Sequence, residues 1–93
     1  MNFVWDPSKA KSNFQKHRVS FAEAVTVFYD PLAKIASDPD HALEEERFIL
    51  IGHSKKNHLL FVVHVYRSNG DTIRIISARK ATKKESRDFR DME

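Results

Sequence analysis

Apolar residues recur along this chain with two different periods. Up to Phe28 they fall three and four residues apart: Ala10, Phe14 and His17, then Phe21, Ala24, Val25 and Phe28. That spacing predicts two helices, each with one apolar stripe. Asp6-Pro7 reads as an N-cap followed by proline at the first helical position, so the first helix is expected from there to about His17. Ser20 and Glu23 predict a capping box for the second, with Val19 placed to staple onto Ala24. Asp30-Pro31 ends it. Ahead of both, Phe3-Val4-Trp5 is a short strand or an anchoring arm.

From Leu32 onward the pattern is that of strands. Leu32 to Ser37 is a modest one. Asp38, Pro39, Asp40 and His41 form a polar loop that leads into Glu44, Glu45 and Glu46. Two hairpins follow. A turn centred on Lys55-Lys56 sets His53 opposite His58, Ile51 opposite Leu60, Ile49 opposite Val62 and Arg47 opposite His64. A turn centred on Asn69-Gly70, a strong hairpin signal, sets Tyr66 opposite Ile73, His64 opposite Ile75, Val62 opposite Ser77 and Leu60 opposite Arg79. Alternation then sorts the side chains into two faces. One face, with Phe48, Leu50, Phe61, Val63, Val65, Ile76 and Ala78, is expected to be the core beneath the helices. The other is expected to carry Arg47, His53, His58, His64, Tyr66, Ser77 and Arg79 over an apolar floor. Thr82-x-x-Glu85 starts a last, short helix, weakly amphipathic through Phe89 and Met92. The expected fold class is α+β: two N-terminal helices on an antiparallel sheet of about four strands, with a C-terminal helix, in one domain spanning residues 1–93.

Composition narrows the function. The chain has 93 residues, no cysteine and two glycines. Disulfides are excluded, and a phosphate-binding glycine loop or dinucleotide fingerprint is absent, so no nucleotide cofactor is expected. No apolar run reaches membrane-spanning length and the N-terminus is no signal peptide, which makes a cytoplasmic location the expectation. His53 opposite His58 offers two ligands, too few for a zinc site, so no metal is expected. The net charge is +3, and its distribution says more than its size. Lys9, Lys11, Lys16 and Arg18 meet one acid, Asp6, before residue 20. Arg74, Arg79, Lys80, Lys83 and Lys84 meet none. The acids gather between Asp30 and Glu46. Two basic segments around an acidic one suit a polyanion, although an ordinary solvated surface has the same look.

One stretch, Ile73-Arg74-Ile75-Ile76-Ser77-Ala78-Arg79-Lys80-Ala81-Thr82, resembles the end of the last strand in the BrnT toxins, small ribonucleases of bacterial toxin–antitoxin pairs. The resemblance runs through nearly the whole chain: Phe3-x-Trp5-Asp6-Pro7, Asn13 with Lys16-His17, Val19-Ser20-Phe21-x-Glu23-Ala24, Phe28-x-Asp30-Pro31, Glu46-x-Phe48 after Glu45, and Gly52. Two positions depart from that pattern: Arg18 stands where glycine is expected, and Phe89 where tyrosine is common. The resemblance implies a RelE-like fold and an endoribonuclease that blocks translation. It also implies a cognate antitoxin, often a ribbon-helix-helix DNA-binding protein, and promoter DNA bound only through the pair.

Cutting RNA by attack of a 2′-hydroxyl needs a base for that hydroxyl, a cation for the phosphate and an acid for the leaving oxygen. Arg79 and Arg47 suit the phosphate through their planar forks of donors. His64 suits proton transfer. Ser77 and Tyr66 can orient a phosphate or stack a base. Arg74 is either a further cation or the partner of Glu46. Arg79 is either catalytic or the partner of Glu85. Lys16 and His17 either favour a helix C-terminus or, as the resemblance implies, contact RNA, and Lys80 and Lys83 extend the basic segment. A non-catalytic module that binds RNA or protein would carry the same residues.

Overall fold

The first hairpin turns over three residues, not two. Ser54 N–H donates to the His58 carbonyl at 2.9 Å, and Asn57 N–H to Ser54 at 2.8 Å. Asn57 takes a left-handed conformation with φ 63°, which asparagine adopts at less cost than lysine. This shifts the pairing by one residue from the expected register: His53 lies opposite Leu59, Ile51 opposite Phe61, and Phe48 opposite His64. In the second hairpin Tyr66 does face Ile73 and His64 does face Ile75. A bulge then leaves Ile76 unpaired, so Val63 faces Ser77, Val62 faces Ala78 and Phe61 faces Arg79.

The computed structural model describes residues 1–39 and 45–92. Asp40, His41 and Glu44 of the expected polar loop lie outside the described residues. The elements run β1 (Asn2–Val4), α1 (Pro7–His17), α2 (Phe21–Val27), β2 (Lys34–Ser37), β3 (Phe48–His53), β4 (Leu59–Arg67), β5 (Thr72–Lys80) and α3 (Lys83–Asp91). The five strands form one sheet in the order β1-β5-β4-β3-β2. The fold class is α+β as expected, but the sheet is mixed, because β1 pairs with β5 in parallel.

The two register shifts turn β4 and the first part of β5 over, while Leu50 and Ala78 stay in the expected core. Beneath α1 and α2 lie Leu50, Leu60, Val62, Ile73, Ile75 and Ala78, packed with Val19, Phe21, Ala24 and Val27. Phe61 and Val63, assigned to that core from sequence, stand on the opposite face beside Arg79 and Ser77. α3 covers part of that face. Its Phe89 is buried, and the ring meets His53 at 5.8 Å between centroids.

Local chemistry sets the helix ends. Asp6 accepts from Ser8 N–H at 2.9 Å, ahead of Pro7. Thr82 and Glu85 form the expected capping box. α2 departs from expectation. Ser20 caps it by accepting from Glu23 N–H, but the Glu23 side chain turns away into the first hairpin. There its carboxylate accepts from Ser54 Oγ at 2.6 Å and meets His58 Nδ1 at 2.9 Å. Burial pushes the Glu23 carboxyl up; the hydrogen bonds from Ser54 and His58 outweigh this and hold it below its ordinary range. Arg18, in glycine's place, closes α1 in the left-handed region at φ 60°. Its guanidinium rests 5.6 Å from the Phe14 ring.

Asp30 and Gly52 belong to one joint. Asp30 accepts from Leu32 N–H at 3.0 Å and from His53 N–H at 2.7 Å. A Cβ on Gly52 would lie 2.8 Å from Ala33 Cβ and 2.9 Å from Asp30 Oδ2. Gly52→Ala is therefore expected to cost about 1–3 kcal/mol by overpacking, read as a lower urea midpoint. An unchanged midpoint would show that the α2–β2 link can yield.

Candidate functional site

β1 covers the edge of β5 only from Thr72 to Arg74. Beyond it the edge has no strand partner among the described residues, and a side chain stands in for one. Asn13 Nδ2 donates to the Ala78 carbonyl at 2.8 Å and to the Val19 carbonyl at 3.0 Å, and Ala78 N–H donates back to Asn13 Oδ1 at 3.1 Å. One amide thus ties α1, the α1–α2 link and β5 together. Beside it opens a cavity of ≈ 300 Å³ walled by Ser8, Lys9, Ser12, Lys16 and His17 of α1 and by Ile76 and Ser77 of β5. Ser8, Ser12 and Lys16 recur every fourth residue, so they share one helix face. The wall holds two ammonium groups, an imidazole and three hydroxyls, of which the Ser8 hydroxyl donates to the Asp6 carboxylate just outside it at 3.0 Å. Such a set recognises phosphate by charge and by hydrogen bonding.

Three residues proposed from sequence to touch RNA, Lys16, His17 and Ser77, meet in this cavity. Lys9 and Ser12 were not assigned to it. The seven-residue spacing of Lys9 and Lys16 was the available signal, but nothing in the sequence says which strand that side of α1 faces.

Arg79 is on the open face of β5, stacked 4.1 Å over the centroid of Phe61. The register that set it opposite Leu60, on the other face from Phe61, is corrected accordingly. Its guanidinium grips Glu85 with both nitrogens, at 2.8 and 3.0 Å. That fork holds the Glu85 carboxyl at about 2. The same carboxylate accepts from Thr82 N–H at 2.9 Å, so Arg79 braces the start of α3. Lys80 follows as an exposed side chain, and Lys83 is exposed in the first turn of α3.

His64 does not share a face with Arg79. It is 0% exposed, with Phe28 at 4.9 Å and Phe48 at 6.2 Å between ring centroids. Nδ1 lies 3.3 Å from the Val62 carbonyl and Nε2 3.2 Å from the Tyr66 hydroxyl. A carbonyl only accepts, so Nδ1 carries the proton and Nε2 accepts from Tyr66. The site drawn from sequence, with His64 beside Arg79, is not formed. Tyr66 lies on the helix side with His64, at the far end of β4.

Burial lowers the His64 pKa from 6.5, with the bond to Val62 opposing in part. The unfolded chain therefore binds a proton that the folded one refuses, and stability falls as pH drops below about 6.5. Glu23 and Glu85, both lowered, lose their contributions only further down, below the 4.5 of an ordinary glutamate. Urea midpoints at pH 7.5 and 5.5 are expected to differ in the wild type, and the gap to shrink in His64→Leu. An equal gap in both would exclude His64 as its source.

Arg47 Nε lies 3.7 Å from Glu45, and Arg67 donates to the same carboxylate at 3.0 Å. The expected pair of Arg74 with Glu46 is absent. Arg74 has no ion pair among the described residues and lines a second cavity, of ≈ 470 Å³, with Val4, Trp5, Asp6, Arg67 and Thr72. The two histidines weighed as zinc ligands are apart in role: His53 sits beside Asp30 and His58 beside Glu23.

The family described as the ribonuclease toxin BrnT of type II toxin–antitoxin systems matches residues 5–85. Among solved structures the chain is similar to the Brucella abortus ribonuclease toxin BrnT. The two share 25% identity over 89% of this chain and 99% of that one, with a TM-score of 0.66. No curated protein sequence matches the chain. A match over most of the chain, on a fold shared with a solved member, places this protein in the BrnT family of ribonuclease toxins of type II toxin–antitoxin systems.

Proposed function

We propose that this protein is a metal-independent endoribonuclease that cuts RNA in the cytoplasm, blocks translation and is neutralised by a cognate antitoxin. The basic groove between α1 and β5 carries this reading. Lys9 and Lys16 bind the scissile phosphate and offset the charge that gathers on its oxygens. Ser77 fixes one phosphate oxygen. His17 takes the proton from the 2′-hydroxyl, the 2′-oxygen attacks phosphorus, and the leaving 5′-oxygen takes a proton from water. The other cations flank the groove along the chain, with Arg74 before it and Lys80 after it on β5 and Lys83 in the first turn of α3, and they guide the RNA backbone, while Arg79, gripped by Glu85, braces α3 beside them. Arg47 does not line the groove and His64 is buried in the core, so neither takes a chemical step. The antitoxin in this reading is a ribbon-helix-helix protein, and promoter DNA is bound only by the complex.

The test is cleavage of a short RNA by purified protein in EDTA. Cleavage is expected, and a single 2′-deoxy nucleotide at the cut site is expected to stop it. Binding without cleavage of either strand would favour a non-catalytic RNA-binding module. Affinity is expected to fall steeply with salt, and Lys16→Gln to flatten the log–log slope by about one unit. A slope unchanged in Lys16→Gln would remove that lysine from the phosphate path.

A further inference from the structure

Upstream of the groove, the end of β1, Arg67 of β4 and the start of β5 line an open cleft of ≈ 470 Å³ with Val4, Trp5, Asp6, Thr72 and Arg74. Its volume lies in the range of small-ligand sites. Its contents suit a nucleobase better than a phosphate alone. Trp5 is half-buried and steadied by an edge-on contact with Phe21, 5.9 Å between centroids. Asp6 is a carboxylate, which repels phosphate and accepts from the amino group of a base. Thr72 adds a hydroxyl. Arg74 is a half-buried cation with no ion pair among the described residues, and such a group is costly to keep unless a ligand meets it.

The two cavities are neighbours in the chain twice over. Trp5 and Asp6 lead into Ser8 and Lys9, and Arg74 lies three residues before Ser77. Three strand residues span roughly 10 Å. A strand of RNA whose phosphate lies in the groove therefore brings an adjoining nucleotide to Trp5.

We propose that this cavity is a nucleobase subsite for single-stranded RNA, in which Trp5 stacks on the base adjoining the groove and Arg74 meets that nucleotide's phosphate or base edge. The inference rests on the proposed ribonuclease reading, since it takes the groove as the place where the RNA backbone lies. It gives the protein a means of choosing among sequences, because the Asp6 acceptor favours bases that carry an amino group.

Trp5 is the one tryptophan in the chain, so its fluorescence reports the subsite directly. The probe is a short RNA with 2′-O-methyl riboses, which binds but cannot be cut. Binding is followed by anisotropy of a dye on the RNA, and stacking by Trp5 emission. Saturable quenching of Trp5 is expected, in step with binding. An abasic nucleotide at one position is expected to remove the quenching, and Trp5→Phe, which keeps a ring, to bind closer to wild type than Trp5→Leu does. Loss of the stack weakens binding roughly 5- to 150-fold. Arg74→Gln, which leaves Trp5 and its packing in place, is expected to weaken the same RNA without weakening the abasic one equally. Binding that leaves Trp5 emission unchanged, or Arg74→Gln that binds both RNAs as wild type does, would overturn the subsite. Quenching without cleavage of unmodified RNA would instead sustain the subsite and remove the ribonuclease reading.

Discussion

Asn13→Ala is expected to lower stability by about 2–4 kcal/mol. The amide makes three hydrogen bonds from an 8%-exposed residue. Its removal orphans the Ala78 N–H and two carbonyls, and each unsatisfied buried group costs about 1–3 kcal/mol. Water entering from the adjoining groove offsets part of the sum. For a domain of this size the change lowers Tm by about 10–25 °C. Asn13→Asp keeps the acceptor for Ala78 N–H but faces two carbonyls with a carboxylate, so it is expected to be no better. Thermal unfolding followed by circular dichroism reads both. A fall of under about 3 °C for Asn13→Ala would mean that water replaces the amide at the strand edge. The groove is expected to suffer with the fold, because the same residue sets the distance between α1 and Ser77.

This residue also marks where the sequence stops being legible. Helical spacing chose Ala10, Phe14 and His17 as the packing stripe of α1. In the structure Phe14 is 42% exposed and Asn13 is buried. No periodicity argument prefers an asparagine to a phenylalanine. The preference comes from an unpaired strand edge 65 residues away that needs a donor and an acceptor. The helix limits were readable because their causes are local: Asp6 with Pro7, and Thr82 with Glu85, act within one turn of themselves.

The sheet was half legible for a related reason. Strand existence followed from composition, and the Asn69-Gly70 turn gave the correct start to the second register. The faces did not follow. In Phe61-Val62-Val63 and Ile75-Ile76 both sides of the strand are apolar, so the pattern gives no preference for either parity. A left-handed Asn57 and a bulge at Ile76 then decided the outcome, each moving the register by one. A slip of one residue turns a strand over against its neighbour, which is why His64 went to the core while Phe61 came out under Arg79, and the bulge turned the end of β5 back, so that Ala78 kept its expected face. Several positions that carry the family resemblance proved to be joints of the fold: Asn13 at the strand edge, Glu23 in the hairpin, Asp30 against Gly52. Lys16, His17 and Ser77, grouped from sequence as RNA-binding candidates, do line one groove, because residues with no packing duty keep their chemistry visible.

His17→Ala is expected to slow RNA cleavage by about 10²–10⁴, the range for loss of a positioned general base, while the fold survives. His17 ends α1 and lines the groove with Lys16 and Ser77. The other described histidines are occupied: His64 lies in the core, His53 against Phe89 and Asp30, and His58 on Glu23. His17 stands half-exposed at the end of α1, so its loss is expected to cost about 0.5 kcal/mol or less, too little to unfold the protein at working temperature. Two comparisons separate chemistry from packing. Imidazole added to His17→Ala is expected to restore part of the rate, which it cannot do for a residue that only shapes the groove. His64→Leu is expected to cleave within a few-fold of wild type, since that ring is buried and does not line the groove. The measurement is cleavage of one defined RNA by purified variants whose circular dichroism matches wild type. Wild-type cleavage by folded His17→Ala would remove the base from the groove, and a large loss in folded His64→Leu would mean that the core histidine reaches the reaction after all.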